Sequence, residues 1–369
     1  MPSTITQLPD LIAALPPRER ERAERLFEIE VSEGIIEPPA EMAPWIEQTF
    51  GAVEAARRQR IIRIMNRWTF EGATFNSLRA QRPGAGTTTS GPAADPPELR
   101  ERIERAQGDD FCHPETGTPA DTFGRVRGAH CITAANVAKA DGWHGLAIFD
   151  RHDPLALDEP LIADFLATAL EWASRAHAQD PAARHLMLFW NCLWRAGASL
   201  IHGHAQMTLS HGMAHARVEQ QRAAAARYRA ETGGDYFADL AATLDALGLR
   251  GFTTDGATAY ASLTPVKEGE VILLAPGARI EEASARLAAP LWAVLRAATQ
   301  DMGVRAFNVG LYGPPLGGDP AWDGFPLVAR LVDRGAPLSP TSDIAALELF
   351  GSSVISADPF EVVEVLRRR

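Results

Sequence analysis

The stretch Asn191-Cys-Leu-Trp-Arg-Ala-Gly-Ala-Ser-Leu-Ile-His-Gly-His-Ala-Gln-Met-Thr-Leu209 carries two histidines and a glutamine at every second position. Read as a β-strand, it points His202, His204 and Gln206 to one face, because side chains alternate with period two. Gly203 and Ala205 then fall on the opposite face, where a second layer can pack closely. Upstream, Arg195-Ala-Gly-Ala-Ser199 is a run of small residues whose backbone N–H groups are expected to approach an anion. Three nitrogen-bearing side chains beside such a loop suit attack on a phosphoryl group. An imidazole is a competent nucleophile at phosphorus and forms a phosphoramidate reactive enough to pass its group on. An amide such as Gln206 donates to the non-bridging oxygens as charge rearranges.

The chain around this motif concentrates the same chemistry. All ten histidines lie between His113 and His215, and the three cysteines are Cys112, Cys131 and Cys192, so residues 1–111 and 216–369 hold neither type. That clustering is what a metal or catalytic site produces. The flanking pattern tells one story twice. Strands are expected at 130–134 and 145–149, a helix at 159–177, and strands at 185–191 and 201–209. The series recurs as strands at 258–263 and 270–274, a helix at 280–301, and strands at 305–312 and 325–332. Each pass reads ββαββ, which predicts an α+β protein of two related halves, each an antiparallel sheet with packed helices. Residues 214–247 read as helix broken at Gly233-Gly234, and 343–350 and 359–368 as closing helices. Residues 1–60 read as a helical extension, with helix from Arg18 to Val31 and from Met42 to Arg58. Extended chain is expected within 61–78, and the Gly/Pro/Ser/Thr-rich 83–97 reads as a linker. The domain bounds are 1–95, 96–232 and 233–369.

Composition removes other classes. The 369 residues are 46% hydrophobic and 22% charged, with 36 basic against 47 acidic residues and a formal charge of −11. That sign excludes a protein that wraps nucleic acid. Mean hydropathy is −0.12, and no run of about 18 apolar residues marks a membrane span. Three cysteines make no disulfide framework, and the first twenty residues lack a basic leader followed by an apolar stretch. A reducing, cytoplasmic setting and a small-molecule substrate are therefore expected.

Gly197-Ala-Ser199-Leu-Ile-His202-Gly-His204-Ala-Gln206 resembles the G-[AC]-S-x-x-H-x-H-x-Q strand of the histidine triad superfamily, in its transferase branch of galactose-1-phosphate uridylyltransferase-like proteins. The resemblance implies two histidine-triad repeats and makes His204 the nucleophile. Gln206 would steady the phosphoryl oxygens, Ser199 would contact the donor phosphates, and Asn191 would sit near the nucleophile. Ser77-Leu-Arg79-Ala-Gln-Arg82-Pro83 looks like the family's S-x-x-R-A-x-R-P segment, one residue shorter, which implies that Arg79 and Arg82 contact the donor nucleotide. Ala134-Ala-Asn136-Val-Ala138 stands where the family has P-N-x-[FY]-P, which makes Asn136 a nucleoside contact and leaves the base open. Leu347–Gly351 and Asp358–Glu361 resemble the closing helices.

The family's C-P-x-C-P-G segment is represented by Cys112-His-Pro-Glu115-Thr-Gly117. The resemblance then implies one structural zinc held by Cys112, Glu115, His152 and His202, with His113 as a substitute ligand; a site that has lost its zinc fits the same departure. No organic cofactor is expected. The second half reads Phe325-Pro-Leu-Val-Ala-Arg330 where another H-x-H would fall, so it supplies packing and part of a pocket, with a homodimer implied by the family. The function implied is transfer of a nucleoside monophosphate group through His204, between a nucleoside-diphosphate sugar and a sugar 1-phosphate or similar acceptor. Two alternatives remain: a dinucleoside polyphosphate phosphorylase using the same histidine, and a non-catalytic nucleotide-binding protein.

Overall fold

The computed structural model describes residues 3–80 and 95–368, so Arg82 and most of the linker expected at 83–97 lie outside the described residues. Its thirteen strands are β1 (Phe27–Ile35), β2 (Arg58–Asn66), β3 (Gly72–Phe75), β4 (Cys131–Ala135), β5 (Trp143–Phe149), β6 (Ala183–Cys192), β7 (His204–His211), β8 (Arg250–Thr254), β9 (Ala257–Ala261), β10 (Glu268–Ala275), β11 (Phe307–Tyr312), β12 (Leu327–Asp333) and β13 (Ser353–Ile355). They form a nine-stranded sheet in the order β4-β5-β7-β6-β11-β12-β10-β9-β8, and a four-stranded sheet in the order β1-β2-β3-β13. The chain is thus α+β. Every pairing within the nine-stranded sheet is antiparallel.

Alternation along the strands explains why that sheet has two different faces. In β5, Gly145, Ala147 and Phe149 face the helix Glu159–Gln179, while His144, Leu146 and Ile148 face away. The helix starts where the Asp158 carboxylate accepts the Leu161 N–H. It buries Leu161, Ile162, Phe165, Leu166, Ala169, Trp172, Ala173 and Ala176, a stripe at the three-to-four-residue helical spacing. A Cβ at Gly145 would stand 2.6 Å from the Trp172 ring, so only glycine permits this approach. The helix Ala283–Arg296 packs beside Glu159–Gln179.

Residues paired directly across antiparallel strands share a face, so Leu146, Gln206, Phe189, Gly310, Arg330, Ile272 and Tyr260 form one row across the opposite face. At the β4–β7 end this face carries Gln206 and, two residues before it on β7, His204. Further along, on β12, it carries Arg330, whose guanidinium meets Glu71 and Glu270, each at 2.7 Å. The β1–β3 segment and the helices Ala216–Thr232 and Tyr236–Ala246 cover that part of the face, with Asn66 donating to the Tyr236 hydroxyl at 2.8 Å.

The N-terminal region departs from the helical reading. The helix beginning at Pro17 stops at Leu26, and Phe27–Ile35 pairs with Arg58–Asn66 as strand. Beyond Phe27 the segment Glu-Ile-Glu-Val alternates polar and β-branched residues, which favours a strand. The segment 42–58 is two short helices, Ala43–Phe50 and Val53–Arg57, rather than one. Among the described residues, no helix is long and apolar enough to cross a membrane.

Candidate active site

β7 opens at His204, and the imidazole is buried. Its Nδ1 lies 2.8 Å from the carbonyl oxygen of His202, two residues back on the same chain. A carbonyl only accepts, so Nδ1 carries the proton and Nε2 the lone pair. Burial pushes the His204 pKa below its ordinary value, only partly countered by that carbonyl, and this keeps the ring neutral and nucleophilic near pH 7. The edge of Phe111 fixes the ring plane, with centroids 4.9 Å apart. Phe111, Ile132, Ala134, Leu146 and Ile148, with Leu200 against them, form a small apolar cluster on this face.

Gln206 follows on the same face, half-buried, with its Oε1 2.9 Å from His144 Nε2. No sequence motif assigns His144 a role; its place on β5, directly across from Thr208, puts it diagonal to Gln206. Asn136 joins the same chain of contacts: its backbone N–H donates to the His144 carbonyl at 2.9 Å, and its amide nitrogen lies 3.3 Å from His144 Nε2.

The β6–β7 turn differs from its expected use. The N–H groups of Ala196, Gly197 and Ala198 donate to Leu193 and Trp194 carbonyls within the turn, so they are spent on its closure rather than offered to an anion. The turn begins at Leu193, buried with φ +67°, and ends at Gly197 with φ +98°. A left-handed conformation at a branched, buried residue costs about 1–3 kcal/mol and is typical of a segment whose geometry serves a site. The Arg195 guanidinium holds the turn to the second half through the Arg334 carbonyl at 2.8 Å. Ser199 is exposed just past the turn. Asn191, one residue before the end of β6, accepts from Asn308 of β11 at 2.8 Å, and Asn308 in turn accepts from Arg334 at 2.6 Å. Arg79 is exposed on the short helix Ser77–Ala80, and no described contact joins it to the histidines.

Beside this site, Asp109, Cys112, His152 and His202 bring one ligand atom each within 4.8 Å of one another. Cys112 Sγ lies 3.3 Å from His152 Nδ1 and 3.4 Å from His202 Nδ1. Both histidines turn Nε2 to backbone carbonyls, of Ile103 at 2.8 Å and Phe149 at 2.9 Å, which protonates Nε2 and leaves the Nδ1 lone pairs converging. That is how metal-binding histidines are oriented. The Gly108 N–H donates to Cys112 Sγ at 3.3 Å, and Asp109 Oδ2 is buried with no protein partner. Thiolate, two imidazoles and a carboxylate suit tetrahedral zinc. Three expected ligands are therefore together, and Asp109 replaces the fourth. Glu115 is exposed, turned away on the helical turn Pro114–Gly117 and ion-paired with Arg127; His113 is exposed outside the group.

No family model and no curated protein matches this sequence. The fold itself is shared with solved structures of an ADP-glucose phosphorylase, a GalT-like protein and a uridylyltransferase. In particular, the chain is similar to an ADP-glucose phosphorylase from Arabidopsis thaliana with bound ADP-glucose, at 15% identity and a TM-score of 0.63 over 83% of this chain and 98% of that one. It is likewise similar to a GalT-like protein from Arabidopsis thaliana (15% identity, TM-score 0.59, 71% of this chain and 92% of that one). A uridylyltransferase structure matches with 18% identity and a TM-score of 0.55, over 68% of this chain and 87% of that one.

Proposed function

We propose that the protein transfers a nucleoside monophosphate group through a covalent nucleotidyl-His204. The observation that carries this reading is the His204 ring, with Nδ1–H held by the His202 carbonyl, Nε2 left as the nucleophile, and Gln206 beside it on the same face. The Nε2 lone pair attacks the α-phosphorus of a nucleoside-diphosphate sugar, forming the N–P bond as the bond to the leaving sugar 1-phosphate oxygen breaks. An oxygen of a second phosphate-bearing acceptor then attacks phosphorus and returns the electron pair to Nε2. Gln206 donates to the non-bridging oxygens in both steps, and the apolar cluster around Phe111 and Ile132 receives the base. Positioning and charge stabilisation supply the catalysis, as phosphoryl transfer requires. Asn191, Ser199, Arg79, Arg82 and Asn136 are proposed phosphate or nucleoside contacts.

The neighbouring ligand group would hold one zinc through Asp109, Cys112, His152 and His202. A bound ion there supplies fixed geometry, holding the strand that presents His204, and takes no part in the chemistry. We read the two halves of the long sheet as paired histidine-triad units, the second of which has exchanged its chemistry for Arg330.

Similarity to a structure that binds ADP-glucose makes an ADP-sugar the first donor to test, beside UDP- and GDP-sugars and diadenosine tetraphosphate. Intact-protein mass after brief exposure is expected to rise by one nucleotidyl unit, reversibly in acid and not in His204→Ala. The donor that labels identifies the base, and labelling by diadenosine tetraphosphate alone selects the phosphorylase reading. Tight nucleotide binding with no adduct from any donor refutes covalent transfer and favours a binding protein.

A further inference from the structure

The two ends of the Gln206 amide are nearly equal in shape and opposite in use. The NH2 end attracts phosphoryl oxygens and the carbonyl end repels them. Nothing on β7 decides which end faces the reacting group; the neighbour on β5 does.

The Ala140 N–H donates to His144 Nδ1 at 3.0 Å, so Nδ1 carries the lone pair and the single proton of the neutral ring sits on Nε2. Nε2 lies 2.9 Å from Gln206 Oε1, and the bond therefore runs from His144 to Gln206 and occupies the carbonyl. The 3.3 Å approach of the Asn136 amide nitrogen to the same Nε2 is a donor facing a donor. It is a contact rather than a hydrogen bond, and the Asn136 carbonyl oxygen is taken by the Ala138 N–H at 3.1 Å. Phe189, across β7 from Leu146, bounds the ring with centroids 5.9 Å apart. The charged groups around the ring are Lys139, Asp141 and Asp121. Lys139 is spent on the His144 carbonyl (3.3 Å) and on Asp121 (3.6 Å), and Asp141 accepts from Ser210. Burial holds the ring in the neutral form that this pattern needs. A second proton on Nδ1 would confront the Ala140 N–H.

We propose that His144 is a positioning residue: by donating from Nε2 to Gln206 Oε1 it turns the Gln206 NH2 toward the phosphoryl group carried by His204. The assignment rests on the nucleotidyl-transfer reading, and the two are separable by experiment. Long-range 1H–15N spectra of the 15N-histidine-labelled full chain report the His144 tautomer, assigned by the signal lost in His144→Phe. Protonated Nε2 with unprotonated Nδ1 is expected, and the Gln206 side-chain amide resonances are expected to move in the variant. The reverse tautomer, or unmoved Gln206 resonances, overturns the proposal whatever the protein catalyses.

Adduct formation with the labelling nucleotide sugar is then timed in the wild type, His144→Phe, Gln206→Ala and the double variant. His144→Phe is expected to slow it about 10- to 100-fold, with the Kd for the nucleoside monophosphate changed less than about threefold. The double variant is expected to be no slower than Gln206→Ala, because a residue acting only through Gln206 has nothing left to position. Effects that multiply would overturn the proposal. Absence of adduct in the wild type would instead remove the transfer reading, and the spectra alone would judge the amide orientation.

Discussion

Replacing Arg330 by methionine removes the one cation that two inward-facing carboxylates share. Arg330 sits 2.7 Å from both Glu71 and Glu270, and the Glu270 side chain is 0% exposed. At an effective dielectric near 20, one charge pair about 4 Å apart is worth about 4 kcal/mol, a gain mostly offset by the cost of burying the ions. Once the cation is gone, the cost remains without the gain, and a loss of about 3–5 kcal/mol follows. The loss carries a pH signature. Burial already pushes the Glu270 carboxyl up, and Arg330 is the main influence pulling it back. Without Arg330 the folded-state pKa rises further above the unfolded value. Such a group is tolerated when protonated, so the deficit grows as pH rises and shrinks as pH falls. Urea unfolding at pH 8 and pH 5 is expected to show a deficit larger by about 1–3 kcal/mol at pH 8. Adding Glu270→Gln to Arg330→Met is expected to recover part of the loss and flatten its pH dependence. A deficit below about 1 kcal/mol, or one equal at both pH values, would refute this account of the triad.

Cys112→Ser and Asp109→Asn are each expected to cut zinc content, measured by plasma mass spectrometry after dialysis against zinc, while Glu115→Ala leaves it unchanged; the opposite order would return Glu115 to the ligand set. Burial raises the Asp333 carboxyl from 3.8 to about 7, with Gly335 N–H donating to it at 2.7 Å. Its folded-state pKa exceeds the unfolded one, so stability is lost as pH climbs from about 4 through 7. Asp333→Asn, which keeps the acceptor for Gly335, is expected to gain about 2–4 kcal/mol at pH 8 in urea unfolding and almost nothing at pH 4. A Cβ on Gly203 would lie 2.9 Å from the Phe149 ring and 3.3 Å from the Arg151 carbonyl. Gly203→Ala is therefore expected to cost about 1–3 kcal/mol and to slow His204 labelling by displacing both flanking histidines. Unchanged labelling would show that the strand does not need this close approach.

The strand bearing His204 and Gln206 was legible because period two is rigid. It runs from His204 to His211 rather than over 201–209, so His204 and Gln206 share a face while His202 precedes the strand and joins the Asp109, Cys112 and His152 group. The two ββαββ series were legible for the same reason, since each apolar run has a length and spacing only one element type satisfies. Asp109 was not, because counting three residues forward from Cys112, by analogy with a second cysteine, gives Glu115. The chain instead caps a 3-10 turn at Asp109, whose Oδ1 accepts from Phe111 and Cys112 N–H, and this brings the residue three positions back to the sulfur. An Asp-x-x-Cys spacing with capping chemistry was the available signal. His144 left none: its role arises from the cross-strand register of β5 on β7 and from the Ala140 amide, and neither is written locally. The helical reading of residues 27–31 failed because a charged, helix-prone run masked the alternation that strand pairing with β2 selects.

The pairing of β6 with β11, from Cys192 opposite Phe307 to Met187 opposite Tyr312, runs through the middle of the long sheet. A gene split near Gly233 would turn that seam into a raw edge on both products. Each fragment would present a strand with unsatisfied backbone donors and acceptors and apolar side chains such as Trp190 and Phe307, the surface that recruits other chains into aggregates. Each fragment alone is therefore expected to aggregate, and co-expression of the two is the route by which a split protein would be recovered.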